Sequence, residues 1–579
     1  MYILNDGNCC EAAITFFNGG TAALVSAVQG ADATGDLLIR AHGEVRIQDN
    51  ADFDATAKNN NVSILSDQSH ISTKAFGYTA AGASDLGHLT LWAKGDTFII
   101  NTPNNCGGYV SIEGNLTTTS TSTGSTWQTL TDAVQRNSGK LARRTNCSSF
   151  GEEMAARAPS ALETGVQTRI QSDRDYVKVT GDFKHIGQNG GLFVQGAGKV
   201  TVNGKTEIDF KTKDGIGDAV IQSKNSSVWF NNEFSYTGNV TTDLFIDGEK
   251  GVTFNSVSGP STIDYTQGTD PSAHIGIQSN AGTIAFKNKA FTFKSKSTGE
   301  TQLWAGANIT STDNAPLLFE YTVRNDGQNI DWYAGRDIDL SGTLTFKHDD
   351  AKDHTGFIKL RANANEAELW NHNSTDPTGR PGAGICPEIC DHSDNGIHGN
   401  IYLRNDVKVN YWGKENVWMA ANHDIHIQRN YTHVAGGAGQ DPQGFTRFVA
   451  GNDIVTGKIG DPNSTFSYLH VGEKGERIRH FDMKAGHDII THNHVKIGYN
   501  AATDDAFNTT LFACNDIDIR NSFWYADSST TNKGKWTRLY ANRDILSNQT
   551  CLNYGAPINF YTPDNTKTEW SAGRNIITG

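Results

Sequence analysis

The chain has 579 residues with a formal net charge of −14, only 19% charged residues, 60 Gly and 12 Pro. That is too long for one ordinary globular domain, and the apolar positions recur too regularly for a disordered chain. The charge is spread without a basic block, which excludes nucleic acid as a partner, and no run of about 20 apolar residues exists to span a membrane.

Residues 1–36 hold a mildly amphipathic stretch, Thr21–Val28, and are expected to cap the first coil of a repeat array. The start lacks the basic and apolar regions of a signal peptide. From residue 37 a loose phrase appears, first as Ile39-Arg-Ala-His-Gly-Glu-Val45, with similar units closing at His70-Ile71 and Phe98-Ile99. Residues 37–116 therefore read as the first run of repeats. Residues 117–165 break the pattern: a Thr/Ser tract leads into Trp127–Arg144 and Glu152–Leu162, which read as short helices in an inserted segment. Repeats resume over 166–579, as Ser172–Tyr176, Val194–Val200, Gln222–Val228, Ile246–Val252 and Gln278–Ile284. A Pro- and Gly-rich stretch at 371–400 reads as a long loop.

After residue 300 the phrase sharpens to apolar–x–Ala–(Gly or Asn)–x–(Asp or Asn)–Ile. It reads Leu303–Ile309, Trp332–Ile338, Met419–Ile425, Phe448–Ile454, Met483–Ile489, Leu511–Ile517, Leu539–Ile545 and Trp570–Ile576. The closing isoleucines are 29, 87, 29, 35, 28, 28 and 31 residues apart, and 87 is three times 29. One degenerate copy, Leu360–Glu366, falls inside the long step. A period near 29 marks an array of one structural unit.

The phrase has the chemistry of strand, corner, strand. Its apolar residue and its Ala are two apart, so both face inward. Gly306, Gly335, Asn422, Gly451, Gly486, Asn542 and Gly573 come next in their copies, with Cys514 as the exception. Gly and Asn accept positive φ at least cost, so a left-handed corner is expected. The acid or amide can then bind local N–H groups, and Ile begins the next strand. Helix is disfavoured by a Gly or Asn in the middle of every unit. The expectation is an all-β, right-handed parallel β-helix of about 17–19 coils with a small helical insertion.

Stacked coils would align Asp453, Asp488, Asp516 and Asp544 about 5 Å apart, where like charges repel by roughly 1 kcal/mol in water. Backbone N–H donors are the first remedy, helped by Arg336, Arg543 and Arg574; calcium bridging is the second. No catalytic residue, cofactor-binding residue or further cofactor is expected. His492 and His494 would share one strand face as a weak metal pair, against two solvent-facing polar residues. Trp304, Tyr333, Phe512 and Tyr540 would face outward as an aromatic track.

Eight cysteines leave disulfides, a metal knuckle at Cys386–Cys390 and free thiols open. In an exported protein, Cys106 with Cys147, Cys386 with Cys390 and Cys514 with Cys551 are the disulfide partners to expect. The chain stops just after a good copy of the phrase, so a longer array or an open end that docks on another subunit is expected.

Ala334-Gly-Arg-Asp-Ile338 and Ala485-Gly-His-Asp-Ile489 resemble the repeats of filamentous-haemagglutinin-like adhesins of Gram-negative bacteria. The resemblance covers residues 300–579 well and 37–300 loosely; the units here are longer, and the family's secretion-domain signature is absent. It implies an exported β-helix rod that works in adhesion, biofilm or contact-dependent competition. A non-enzymatic extracellular or cell-surface rod is the expected function, either an adhesin segment or a fibre subunit. Its partners would be copies of itself, or glycans or proteins of a host or neighbouring cell. The rival is a polysaccharide-active β-helix, a lyase or glycosidase, for which Asp349-Asp350 and Asp504-Asp505 are the adjacent acids.

Overall fold

The computed structural model describes residues 2–5, 14–16, 24–27, 37–41, 43–48, 50–54, 62–66, 69–80, 89–93, 109–120, 166–187, 191–210, 219–238, 243–266, 275–295, 301–321, 328–348, 355–364, 398–411, 414–435, 444–461, 463–472, 478–501, 506–527, 536–547, 558–561 and 567–578. They form strands and corners only, with no helix among the described residues. The chain divides into two compact units, Met1–Ala305 and Gly306–Gly579.

Within each unit the strands come in threes, and each strand pairs in parallel with its counterpart one coil on. In the first unit Leu37–Ala41, Val45–Ile47 and Ala51–Asp54 make one coil, and they pair with Val62–Ser66, Ile71–Thr73 and Phe76–Ala80 of the next. Three parallel sheets result, which is a β-solenoid. Among the described residues the first unit holds nine complete coils, from Tyr2–Asn5 to Phe291–Ser295, and the second holds seven, from Gln328–Ala334 to Ile558–Tyr561, with partial coils beside them.

Alternation explains the strands. In most strands of the second and third sheets every other residue is buried, as in Val177–Val179 and Phe183–Gly187, so one face packs inward and the other meets solvent. The first sheet differs. Gly191–Gly196, Ala219–Ser223 and Leu244–Gly248 are buried at every position, the mark of a sheet covered on both faces.

The core is a set of stacked columns. In the second unit Ile338, Ile401, Ile425, Ile454, Ile489, Ile517 and Ile545 pair one above another, and all are fully buried. Each contributes on the order of 1.5–3 kcal/mol of apolar burial. In the first unit Phe230, Phe254 and Phe286 stack at 5.3 and 5.5 Å, with Phe291 edge-on to Phe286.

Several expectations about the coils are met and several change. Val45, Ile71, Val200, Val228, Val252 and Ile284 open or lie in the strands after their corners, as the loose phrase implies, and Val177 does so one residue after Tyr176. The 87-residue step is two coils, not three. The chain leaves the corner after Ala364 and re-enters it at His398-Gly399-Asn400, so Ile401 closes the interrupted phrase between Ile338 and Ile425. Within the expected cap, Tyr2–Asn5, Ile14–Phe16 and Leu24–Ala27 are strands in register with the coil after them. The expected helices of the insertion, most of the long loop and Phe98-Ile99 lie outside the described residues.

The corner glycines also need a different explanation. None of Gly306, Gly335, Asn422, Gly451, Gly486, Asn542 and Gly573 has positive φ; only Asn363, at the equivalent place, does, at 48°. Space is the constraint instead. A Cβ on Gly486 would sit 1.9 Å from the Gly451 carbonyl oxygen, and one on Gly335 would sit 2.4 Å from that of Gly306. The glycine lets one coil's backbone settle on the next.

Candidate functional site: the aspartate corner

In the second unit the acid or amide of each phrase closes its corner from one coil to the next. From Asn308 to Asp516, the Oδ1 of each accepts the backbone N–H of its counterpart one coil on. Asp337 N–H donates to Asn308 at 3.0 Å, Asn400 to Asp337 at 2.9 Å and Asp424 to Asn400 at 3.1 Å. Asp453 donates to Asp424 at 3.0 Å, Asp488 to Asp453 at 3.0 Å, Asp516 to Asp488 at 2.8 Å and Asp544 to Asp516 at 3.0 Å. The corner thus adds a side-chain ladder to the backbone ladders of the sheets.

From Asp424 onward the residue just before each acid or amide completes the arrangement, whereas Arg336, before Asp337, makes only its backbone bond to Ala307 among the described residues. Asn452 and Asn515 donate side-chain N–H groups to Asp424 and Asp488 at 2.9 and 2.8 Å. Arg543 grips Asp516 and Arg574 grips Asp544 through two nitrogens each. His487 Nδ1 lies 3.1 Å from both Asp453 Oδ1 and Asp488 Oδ2. His423 Nδ1 lies 3.2 Å from Asn400 Oδ1 and 3.0 Å from Asp424 Oδ2. Like charges in a column are thereby separated by donors and cations.

These contacts set the ionisation of the row. Burial opposes the charge on Asp424, but the His426 ring, the Asp453 N–H, Asn452 and the nearby His423 outweigh it and hold its pKa down at about 2. Hydrogen bonds from Arg574 hold the Asp544 carboxyl below its ordinary value against its burial. Asp516 and Asp544 in turn raise Arg543 and Arg574. The four acids singled out from sequence, Asp453, Asp488, Asp516 and Asp544, therefore stand in one row with backbone donors on each of Asp453, Asp488 and Asp516. Asn575 Nδ2 serves Asp544 at 3.0 Å.

Other expected groups are placed differently. His492 sits on the turn after Ile489–Thr491 and His494 opens the next strand, with buried Asn493 between them, so they do not share a strand face. Trp304, Tyr333, Phe512 and Tyr540 do lie on the outer face of the first sheet, but the first three are buried and Tyr540 is half-buried, so they display no track. Cys514 takes the glycine place in its corner and is disulfide-bonded. Cys106, Cys147, Cys386, Cys390 and Cys551 lie outside the described residues, as do Asp349-Asp350 and Asp504-Asp505.

One feature of the second unit carries no signal in the phrase. Arg361 and Asp331 form a fully buried bidentate ion pair at 2.7–2.8 Å on the outer face of the first sheet. Arg447 and Asp482, register partners one coil apart, pair at 3.0 Å nearby. Lys359 lies over the rings of Phe357 and Trp418. Charges at alternate positions of these strands read as solvent-facing; only burial of the face makes them structural.

The fold and the ladder define the class: a three-sheet parallel β-solenoid repeat protein. No family model matches the chain, no curated protein matches it, and no solved structure matches it.

Proposed function

We propose that the chain is a non-enzymatic structural or adhesive β-solenoid that works outside the cell or on its surface, in the manner of filamentous-haemagglutinin-like adhesins. The ladder carries this reading. Its acids recur evenly, and their Oδ1 atoms are committed to the backbone of the next coil, which makes them scaffold. Catalysis needs a local cluster with carboxylates left for substrate. The disulfide at Cys514 suits an oxidising compartment, and Cys551 is its proposed partner. Among the described residues no helix is long and apolar enough to cross a membrane. The proposed partners are copies of this chain, or surface glycans or proteins of another cell.

The test has two arms. Purified protein should bind a panel of cell-surface glycans or whole cells saturably and leave polysaccharides intact. Depolymerisation lost on changing Asp504 and Asp505 would replace this reading with a polysaccharide-active enzyme. Electron microscopy decides the self-association arm: filaments support copies as partners, and separate particles at high concentration remove them.

A further inference from the structure

His487 differs from its counterparts in a way that turns one step of the ladder into a metal-binding geometry. Its Nδ1 lies 3.1 Å from Asp453 Oδ1 and 3.1 Å from Asp488 Oδ2. The three residues offer ligand atoms within 4.8 Å of one another, and this is the group of its kind among the described residues. An ion about 2.1 Å from each ligand has neighbouring ligands about 3.0 Å apart in an octahedron and about 3.4 Å apart in a tetrahedron. The two histidine-to-carboxylate edges fall between these values, so the imidazole and both acids are already spaced to share an ion.

Accessibility fits as well. The His487 side chain is 53% exposed, and Asp453 and Asp488 retain 25% and 18%. A hydrated ion can reach them and keep water on its open side. The carboxylates are already fixed by the ladder, since Asp453 Oδ1, itself one of the ligand atoms, accepts the Asp488 N–H and Asp488 Oδ1 accepts the Asp516 N–H. Such contacts orient ligand atoms before an ion arrives.

The other corners act as internal controls. Arg543 fills the same place beside Asp516 and Asp544, and a guanidinium cannot ligate a cation. Asn452 and Asn515 offer amide donors there. His423 has the same pose, but it spans the Asn400 amide oxygen and Asp424, so one carboxylate is missing. Imidazole and two carboxylates meet only at His487 among these corners.

We propose that Asp453, His487 and Asp488 form a surface site for a divalent ion of the zinc, cobalt or nickel type. One nitrogen and two oxygens, with water completing the sphere, suit these ions; calcium takes about six to eight oxygens and makes little use of imidazole. The ion would bridge two successive coils and tie them across the corner.

The experiment titrates the metal-free full chain with Co2+ and compares it with His487→Asn and His487→Arg, side chains that other corners already carry. The wild type is expected to bind one equivalent more than either variant, with an absorption band of nitrogen and oxygen ligation. Zn2+ should then raise the unfolding midpoint of the wild type more than that of the variants. Equal stoichiometry in all three proteins overturns the proposal. So does equal competition by Ca2+, which marks a carboxylate-only site. Asn400→Asp gives His423 a second carboxylate and should add an equivalent; a folded Asn400→Asp that adds none counts against the geometry.

Discussion

Among the described strands before the corner, the first unit mixes endings, with serine at Ser66, Ser172, Ser223 and Ser279 and Ala, Gly or Asn at Asn5, Ala41, Ala93, Gly196, Gly248 and Ala305; the second ends on alanine throughout, at Ala334, Ala362, Ala421, Ala450, Ala485, Ala513, Ala541 and Ala572. Each serine Oγ accepts the N–H three residues on: Ser69 at 3.1 Å, Asp175 at 3.0 Å, Ser226 at 3.2 Å and Gly282 at 3.0 Å. Ser66 and Ser223 also donate to Gly43 and Gly198 carbonyls one coil back. The second unit drops the serine and places an acid at the far side of the corner, where it binds the next coil. The outer face of the first sheet shows the same contrast. The first unit carries a ladder led by amides, Gln195 to Gln222 at 2.6 Å and Gln222 to Asp247 at 2.9 Å, where the second carries Asp331–Arg361 and Arg447–Asp482. One architecture thus tolerates an amide-based and an ion-paired way of joining coils, because the backbone ladders are common to both.

The largest effect that would separate the two is on the buried ion pair. Arg361→Met leaves Asp331 charged without its guanidinium and should cost about 3–5 kcal/mol, while replacing both residues by apolar ones should come out near neutral. The amide ladder should be cheaper to cut: Gln222→Leu is expected to cost about 1–3 kcal/mol. Urea unfolding followed by circular dichroism measures both, and equal costs would erase the distinction.

The corner gives the next effect. Asp488→Ala removes the acceptor of two donors and should cost about 1–3 kcal/mol. Asp488→Asn should cost less, because Asn308 and Asn400 already serve in this row. Ser223→Ala is expected to cost about 0.5–1.5 kcal/mol. Thermal melts of the three variants rank them.

Acid separates the units by pH window. Burial pushes His185 down to about 3, below its ordinary 6.5. Its neutral form, held by Thr118 Oγ1 at 2.8 Å, therefore contributes stability above pH 6.5 that is lost as pH falls toward 3. Asp424, held down at about 2 from 3.8, contributes stability above 3.8 that is lost as pH falls toward 2. Hydrogen exchange should show protection around His185 weakening first on acidification, and His185→Gln should remove that early loss. Simultaneous loss in both units would count against the assignment.

The smallest effect belongs to the last clamp of the ladder. Arg574 is open to solvent, so Arg574→Ala should leave the melting midpoint almost unchanged, and added salt should weaken its small contribution. A marked drop would mean that exposed guanidinium clamps hold the corner as firmly as the backbone donors do.

Most of the coil is legible in the sequence because its signals are local. Large apolar residue, Ala and Ile at fixed offsets state which side chains turn inward, and from Leu303 to Ile545 their columns are buried as the phrase implies, whereas in the last copy Trp570 and Ala572 are half-buried and Ile576 is exposed. The corner glycine is legible as a glycine, but local backbone preference gives the wrong reason for it: its need comes from the carbonyl of the coil beneath, which no single unit contains. The coil closed by Ile401 escapes the phrase because residues 365–397 interrupt its corner, so its offset from Ile338 is 63 where Ile338 stands 29 from Ile309. The serine corners of the first unit carry a weak signal, because Ser is common in this chain and caps only through its bond to the third residue on.

By itself, the sequence determined the repeating unit: strand, corner and strand, an inward face of Ala and Ile, and an acid whose short side chain belongs at a bend. These properties arise from side-chain period and turn chemistry, which act within a few residues. The tertiary structure decided what stands above what. Parallel stacking aligns equivalent positions whatever the length of chain between them, so Asp453 meets His487 and Asp488 across 34 and 35 residues. It also decided that the outer face of the first sheet is buried, which turns Asp331 and Arg361 from apparent surface charges into an internal pair. Register and burial depend on what packs against a strand, and no property of the strand's own residues states that.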